Sequence, residues 1–153
     1  MRRLAIAVVL FAGLTGCGEA SKHSEPSIVG SWELQDSGEG DYFFTHVGFT
    51  TDGVKCVMVY EETQTGVAVL AYLNTYKVVN GVIVTTYGKS NEGVPEGEVM
   101  RDRIDLLNAE KMHSVMIQPP DPQIEKHIRL PDVDPQRICG LVKRWLGIES
   151  PPP

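Results

Sequence analysis

From residue 28 to residue 130, apolar and polar positions alternate in short runs rich in Val, Ile, Thr, Tyr and Phe. A period of two in such residues marks β-strands, each face of the strand taking every second side chain. The runs cover residues 28–35, 42–49, 54–61, 67–79, 82–87, 99–106, 112–118 and 125–130. Asn80-Gly81 falls between Tyr76-Lys77-Val78-Val79 and Val82-Ile83-Val84 and predicts a tight hairpin, because both central residues of a primed turn need positive φ. Asp52-Gly53 predicts a second tight connection. Residues 89–98 (KSNEGVPEGE) read as a mobile loop, and Pro119-Pro120-Asp121-Pro122 as a stiff connector. Eight short strands joined by local turns predict an up-and-down antiparallel barrel, since closure removes the exposed edges of a meander.

The period changes to 3.6 near the end of the chain. Ile138, Leu141, Val142, Trp145 and Leu146 form one apolar stripe, while Arg137, Lys143 and Arg144 take the wet side. Asp134 suits the N-cap, Pro135 the first helical position and Gly147 the C-terminal stop. The third strand offers this helix a seat. Its Val57 and Val59 point one way, and Val54, Cys56, Met58 and Tyr60 the other, so both faces are apolar and both are expected to be buried. One face is expected to line the barrel and the other to receive the helix. The fold class is therefore all-β, with about eight strands and one C-terminal α-helix packed outside.

The first sixteen residues follow a different rule. Arg2 and Arg3 precede an apolar run from Leu4 to Leu14, then Thr15, Gly16 and Cys17. A charged start, a short apolar stretch and a small-residue site describe an export signal, and the stretch is too short for a bilayer span of about 20 residues. Leu14-Thr15-Gly16-Cys17 resembles the lipobox of bacterial lipoprotein signal peptides. The resemblance implies cleavage before Cys17 and attachment of diacylglycerol to its thiol, so that the protein's partner is a lipid bilayer. The alternative is an ordinary secretory signal with a chance cysteine. With Gly18 rather than aspartate next, the family's sorting rules imply the outer membrane, facing the periplasm, if the host has two membranes, and otherwise a lipid-anchored place in the cell envelope. The expected layout is a signal peptide over 1–16, a lipidated tether over 17–26, a barrel domain with its helix over 27–147 and a disordered tail over 148–153.

Composition narrows the partners. Removing Arg2 and Arg3 with the signal leaves 12 basic against 20 acidic residues, a formal charge of −8. Such a domain repels phosphate backbones, which argues against nucleic acid as a partner. Export places Cys56 and Cys139 in an oxidising compartment, where such a pair bridges, the alternative being two buried thiols. A bridge would close a loop of about 84 residues, for which chain entropy gives at most on the order of 4–5 kcal/mol.

Gly30-Ser31-Trp32, opening the first strand, resembles the G-x-W signature of lipocalins and related calycins. Phe49-Thr50-Thr51-Asp52-Gly53 and Thr75-Tyr76-Lys77-Val78 followed by Asn80-Gly81 are similar to phrases of small bacterial lipocalin-like domains. The resemblance covers roughly residues 27–147. It implies that Trp32 closes one barrel end and that a basic residue of the last strand, Arg129, stacks on it, a cation–π contact of roughly 0.5–2 kcal/mol. The alternative is a plain core Trp32 and a solvated Arg129.

Candidate chemistry is sparse. Gly88-Lys89-Ser90 lacks the earlier glycine of a phosphate loop, since position 83 is Ile83. His23, His46, His113 and His127 show no ligand spacing, no nucleophile elbow is present, and no catalytic residue, metal site or cofactor is expected. Asp102 shares a strand phase with Met100, Ile104 and Leu106, and the preferred reading sends it to water near a strand end. Phe44, Tyr72 and Tyr76 are the candidate ligand-facing aromatics, against a preferred reading in which they fill the interior. Three functions follow in order: a non-enzymatic envelope lipoprotein whose barrel binds a small apolar or amphipathic ligand; a protein-interaction module with a filled barrel, acting on an envelope protein as inhibitor or assembly factor; and a hydrolase or isomerase using Asp102 with a histidine.

Overall fold

The computed structural model describes residues 26–35, 43–63, 66–117 and 122–149. The lipobox, Cys17 and the tether up to residue 25 lie outside the described residues. Eight strands run in chain order: β1 (Gly30–Gln35), β2 (Phe43–Phe49), β3 (Val54–Thr63), β4 (Gly66–Val79), β5 (Val82–Ser90), β6 (Val99–Leu107), β7 (Lys111–Met116) and β8 (Ile124–Arg129). Each pairs antiparallel with the next, and β8 returns to β1 with Trp32 opposite Arg129, so the sheet closes. This is the expected up-and-down barrel, consistent with a lipocalin-like plan. The predicted hairpin forms at Asn80 (φ 51°) and Gly81 (φ 75°).

Alternation sorts every strand between an inner and an outer face. On β3, Val57 faces inward, while Cys56 and Met58 lie buried on the outer face. There they meet α1 (Pro135–Trp145), which supplies Ile138, Cys139 and Val142. Asp134 caps α1 through its side chain, which accepts from Gln136 N at 2.9 Å, and Pro135 occupies the first turn. The helix lies close because β2 offers Gly48 at the contact. A β-carbon at that position would stand 3.0 Å from the Pro135 carbonyl oxygen. Cys56 and Cys139 are bonded, with Cα atoms 5.2 Å apart, so a disulfide staples the helix to the barrel.

Three expectations need correction. The loop after β5 is pinned rather than free. Asn91 accepts from Ala71 N at 2.9 Å and donates to Val69 O at 2.8 Å, while Tyr87 N donates to Glu98 O at 2.8 Å. Residues 148 and 149, placed in the tail, belong to the helix end. Ile148 N donates to Lys143 O at 2.8 Å, and Lys143 pairs with Glu149 at 3.0 Å. On β6 a bulge between Ile104 and Leu106 breaks the alternation. Leu107, not Leu106, therefore joins the inner core, and Leu106 is exposed.

Candidate functional site

The two ends of the barrel are built differently. At the end where β1 begins and β2 finishes, Trp32, Phe49, Ile83, Met112, Val47 and Ile28 form a buried apolar plug. Trp32 Nε1 donates to Ile28 O at 2.8 Å. The Arg129 guanidinium lies 4.1 Å from the centre of the Trp32 ring, and its two terminal nitrogens donate to Val29 O at 3.0 Å and Ser27 O at 2.5 Å. Burial lowers the Arg129 pKa from its ordinary value. Gly30 lets this arginine pass: its φ is 143°, and a β-carbon there would collide with the guanidinium. Phe49 and Tyr76 meet edge to face at 4.9 Å, and Tyr76 O–H donates to Thr50 O at 2.7 Å. Trp32 thus closes this end and carries the Arg129 guanidinium on its ring.

Above the plug the interior is not filled. A cavity of about 300 Å³ reaches toward the opposite end, where Glu92 and Val94 line it. Its apolar wall includes Leu34, Val57, Met100 and Met116, with the rings of Tyr72 and Tyr87, which meet edge to face at 6.4 Å. Tyr72 O–H donates to Glu92 at the rim. Set into this wall are Lys55, Asp102, Ser114, Glu125 and His127. All of these except Glu125 are more than nine-tenths buried.

These polar groups are only partly satisfied. Lys55 Nζ reaches Thr85 Oγ1 at 3.5 Å and lies 5.6 Å from the centre of the Phe49 ring. Glu125 Oε2 and His127 Nε2 are 3.2 Å apart. Asp102 Oδ1 and His127 Nδ1 are buried with no hydrogen-bond partner. A buried polar atom left unpaired costs roughly 1–3 kcal/mol, so two in one cavity ask for a reason. Burial raises the Asp102 pKa above its ordinary value, and Glu125 adds to the rise. The charges of Lys55 and His127 oppose it. For Glu125 burial is the largest effect and acts upward, but the His127 hydrogen bond and the charges of Lys55 and His127 outweigh it, so its pKa is lowered. The Tyr87 hydroxyl is raised by burial and then by Asp102, Glu98 and Glu125.

The candidate residues named from sequence divide accordingly. Tyr72 lines the cavity. Tyr76 faces inward but belongs to the plug. Phe44 is corrected: it is 57 % exposed, because inward positions on β2 are odd-numbered (Thr45, Val47 and Phe49) and Phe44 falls on the outer face. Asp102 is corrected too. It pairs across to Ile83 on one side and Met116 on the other, in mid-barrel, and only 1 % of it is exposed. Lys55, Tyr87, Glu125 and His127 were missed as members of the site. A signal for two of them was available: if Arg129 turns inward to Trp32, then His127 and Glu125 share its phase on β8. Among the described residues, no group of three or more His, Cys, Asp or Glu side chains is arranged to hold a metal ion.

Comparison with protein-family models, with curated proteins and with solved structures yields no match.

Proposed function

We propose that this protein is a lipid-anchored component of the cell envelope whose barrel binds one small amphipathic molecule at its open end. The observation that carries the binding reading is the cavity of about 300 Å³ walled by apolar side chains and holding a few buried polar groups. That combination is the usual make-up of a small-molecule pocket, and the volume stands at the lower limit of the range of about 300–1,000 Å³. The plug beneath the cavity supports the same reading, because it supplies a rigid floor. The anchor is supported by the lipobox-like segment ending in Cys17.

Binding is tested with a neutral environment-sensitive dye, N-phenyl-1-naphthylamine. Its emission is expected to rise on addition of the protein and to saturate at one dye per chain. Ser114→Phe, which fills the cavity from β7, is expected to weaken binding at least tenfold. Equal dye binding by the folded variant would overturn the reading. Anchoring is tested by Cys17→Ser, which is expected to release the protein from the membrane fraction.

A further inference from the structure

We propose that the cavity selects a compact organic cation, a primary or secondary ammonium carried on an apolar body. This rests on the small-molecule reading above and names the ligand class of that same site. Of the ionisable side chains that line the cavity, Glu92, Asp102 and Glu125 are carboxyls, Lys55 is the single ammonium, and His127 completes the set. Two of these carboxyls, Asp102 and Glu125, also act on the Tyr87 hydroxyl, which lines the same wall.

The unpaired atoms make the choice sharper. Glu125 Oε2 and His127 Nε2 are 3.2 Å apart, and in the tautomer that donates from Nε2 the unpartnered Nδ1 is an acceptor. Asp102 Oδ1 is an acceptor as well when the carboxyl is ionised. Both atoms are buried and unpartnered, and both belong to residues that line the cavity. Two vacant acceptors call for a ligand that donates at least two hydrogen bonds from one end. An ammonium does so and also neutralises Asp102, which burial otherwise penalises.

Lys55 offsets only part of this preference, one ammonium facing three carboxyls. Its ammonium lies 3.5 Å from Thr85 Oγ1 and 5.6 Å from the centre of the Phe49 ring. The unpaired atoms of Asp102 and His127 lie deep, on residues that pair with Ile83 and Met112 of the plug, and a second cation is held beside them. There Tyr72 and Tyr87 offer π-faces and Met100 and Met116 offer polarisable thioethers. The small volume admits a single ring or a short branched chain.

The test uses three matched probes with the protein from Cys17 onward at pH 7, by titration calorimetry: 2-phenylethylamine, 2-phenylethanol and 3-phenylpropionate. The amine is expected to bind at least tenfold tighter than the alcohol, and the carboxylate most weakly. Asp102→Asn is expected to erase the difference between amine and alcohol. Lys55→Met is expected to tighten the amine by removing a like charge. Equal affinities for amine and alcohol would overturn the cation preference while leaving the cavity reading intact. Tightest binding of the carboxylate, lost in Lys55→Met, would overturn it in favour of an anion site at Lys55. Binding of none of the three at millimolar concentration would overturn both.

Discussion

The closed and open ends of this barrel are made by the same eight strands, with the same alternation, yet they obey opposite rules. At the closed end most polar groups make contacts that hold the floor: Trp32 Nε1 on Ile28 O, Tyr76 O–H on Thr50 O, and Arg129 across the Trp32 ring with only its Nε left unpaired. In the cavity above it Asp102 Oδ1 and His127 Nδ1 are buried beside a void without partners. One end is filled by apolar side chains around Trp32 and serves stability. The other breaks the rule that buried polar groups are paired, and such breaches concentrate where function is placed. The contrast predicts that substitutions at the two ends change stability with opposite sign.

The largest effect belongs to the floor. Trp32→Ala removes a fully buried ring and the surface on which Arg129 rests, and is expected to cost about 3–5 kcal/mol, read as a lower midpoint of urea unfolding. Arg129→Met keeps an apolar stem over the ring but loses the charge and the hydrogen bonds to Ser27 and Val29. It is expected to cost about 1–2 kcal/mol on the same measurement. A cost near zero for both would mean that the plug is not what holds this end shut.

The smallest effect should have the reverse sign. Asp102 has a folded-state pKa above its ordinary 3.8, so between those two values the folded protein holds more proton than the unfolded chain. Stability from this group therefore falls as pH rises through that window, and the full penalty is present above the folded-state value. Asp102→Asn is expected to raise stability at pH 7, by a margin that shrinks as pH drops toward 3.8. Glu125 works the other way. Its lowered pKa contributes stability above its ordinary 4.5 that is lost as pH falls through the folded value. The Asp102→Asn variant, freed of the opposing group, is expected to show the steeper acid unfolding. A destabilised Asp102→Asn at pH 7 would show that the carboxylate has a structural role.

What could be read from the sequence follows the same division. The strand runs, the Asn80-Gly81 hairpin, the cap at Asp134 and the two apolar faces of β3 are local signals, each fixed by a few neighbouring residues, and the structure contains all of them. The pairing of Cys56 with Cys139 was expected from export into an oxidising compartment, and the two are bonded. The open-end site is not local. Lys55, Glu125 and His127 look in sequence like any solvated polar residues on a half-buried strand. Only closure of the sheet decides which parity faces in, and a bulge such as that between Ile104 and Leu106 can reverse it. Phe44 was misplaced by parity alone. Asp102 was placed on the correct face but assigned to water, because its depth depends on Ile83 and Met116 in other strands.

Methionine methyl groups offer the most direct test that the open end is a binding site. Met100, Met112 and Met116 line the cavity, whereas Met58 is buried on the outer face beneath the helix. In a methyl NMR titration with 2-phenylethylamine, the account predicts saturable shifts of the Met100 and Met116 methyls and a stationary Met58. Shifts that leave Met100 and Met116 in place, or that move Met58 equally, would contradict it.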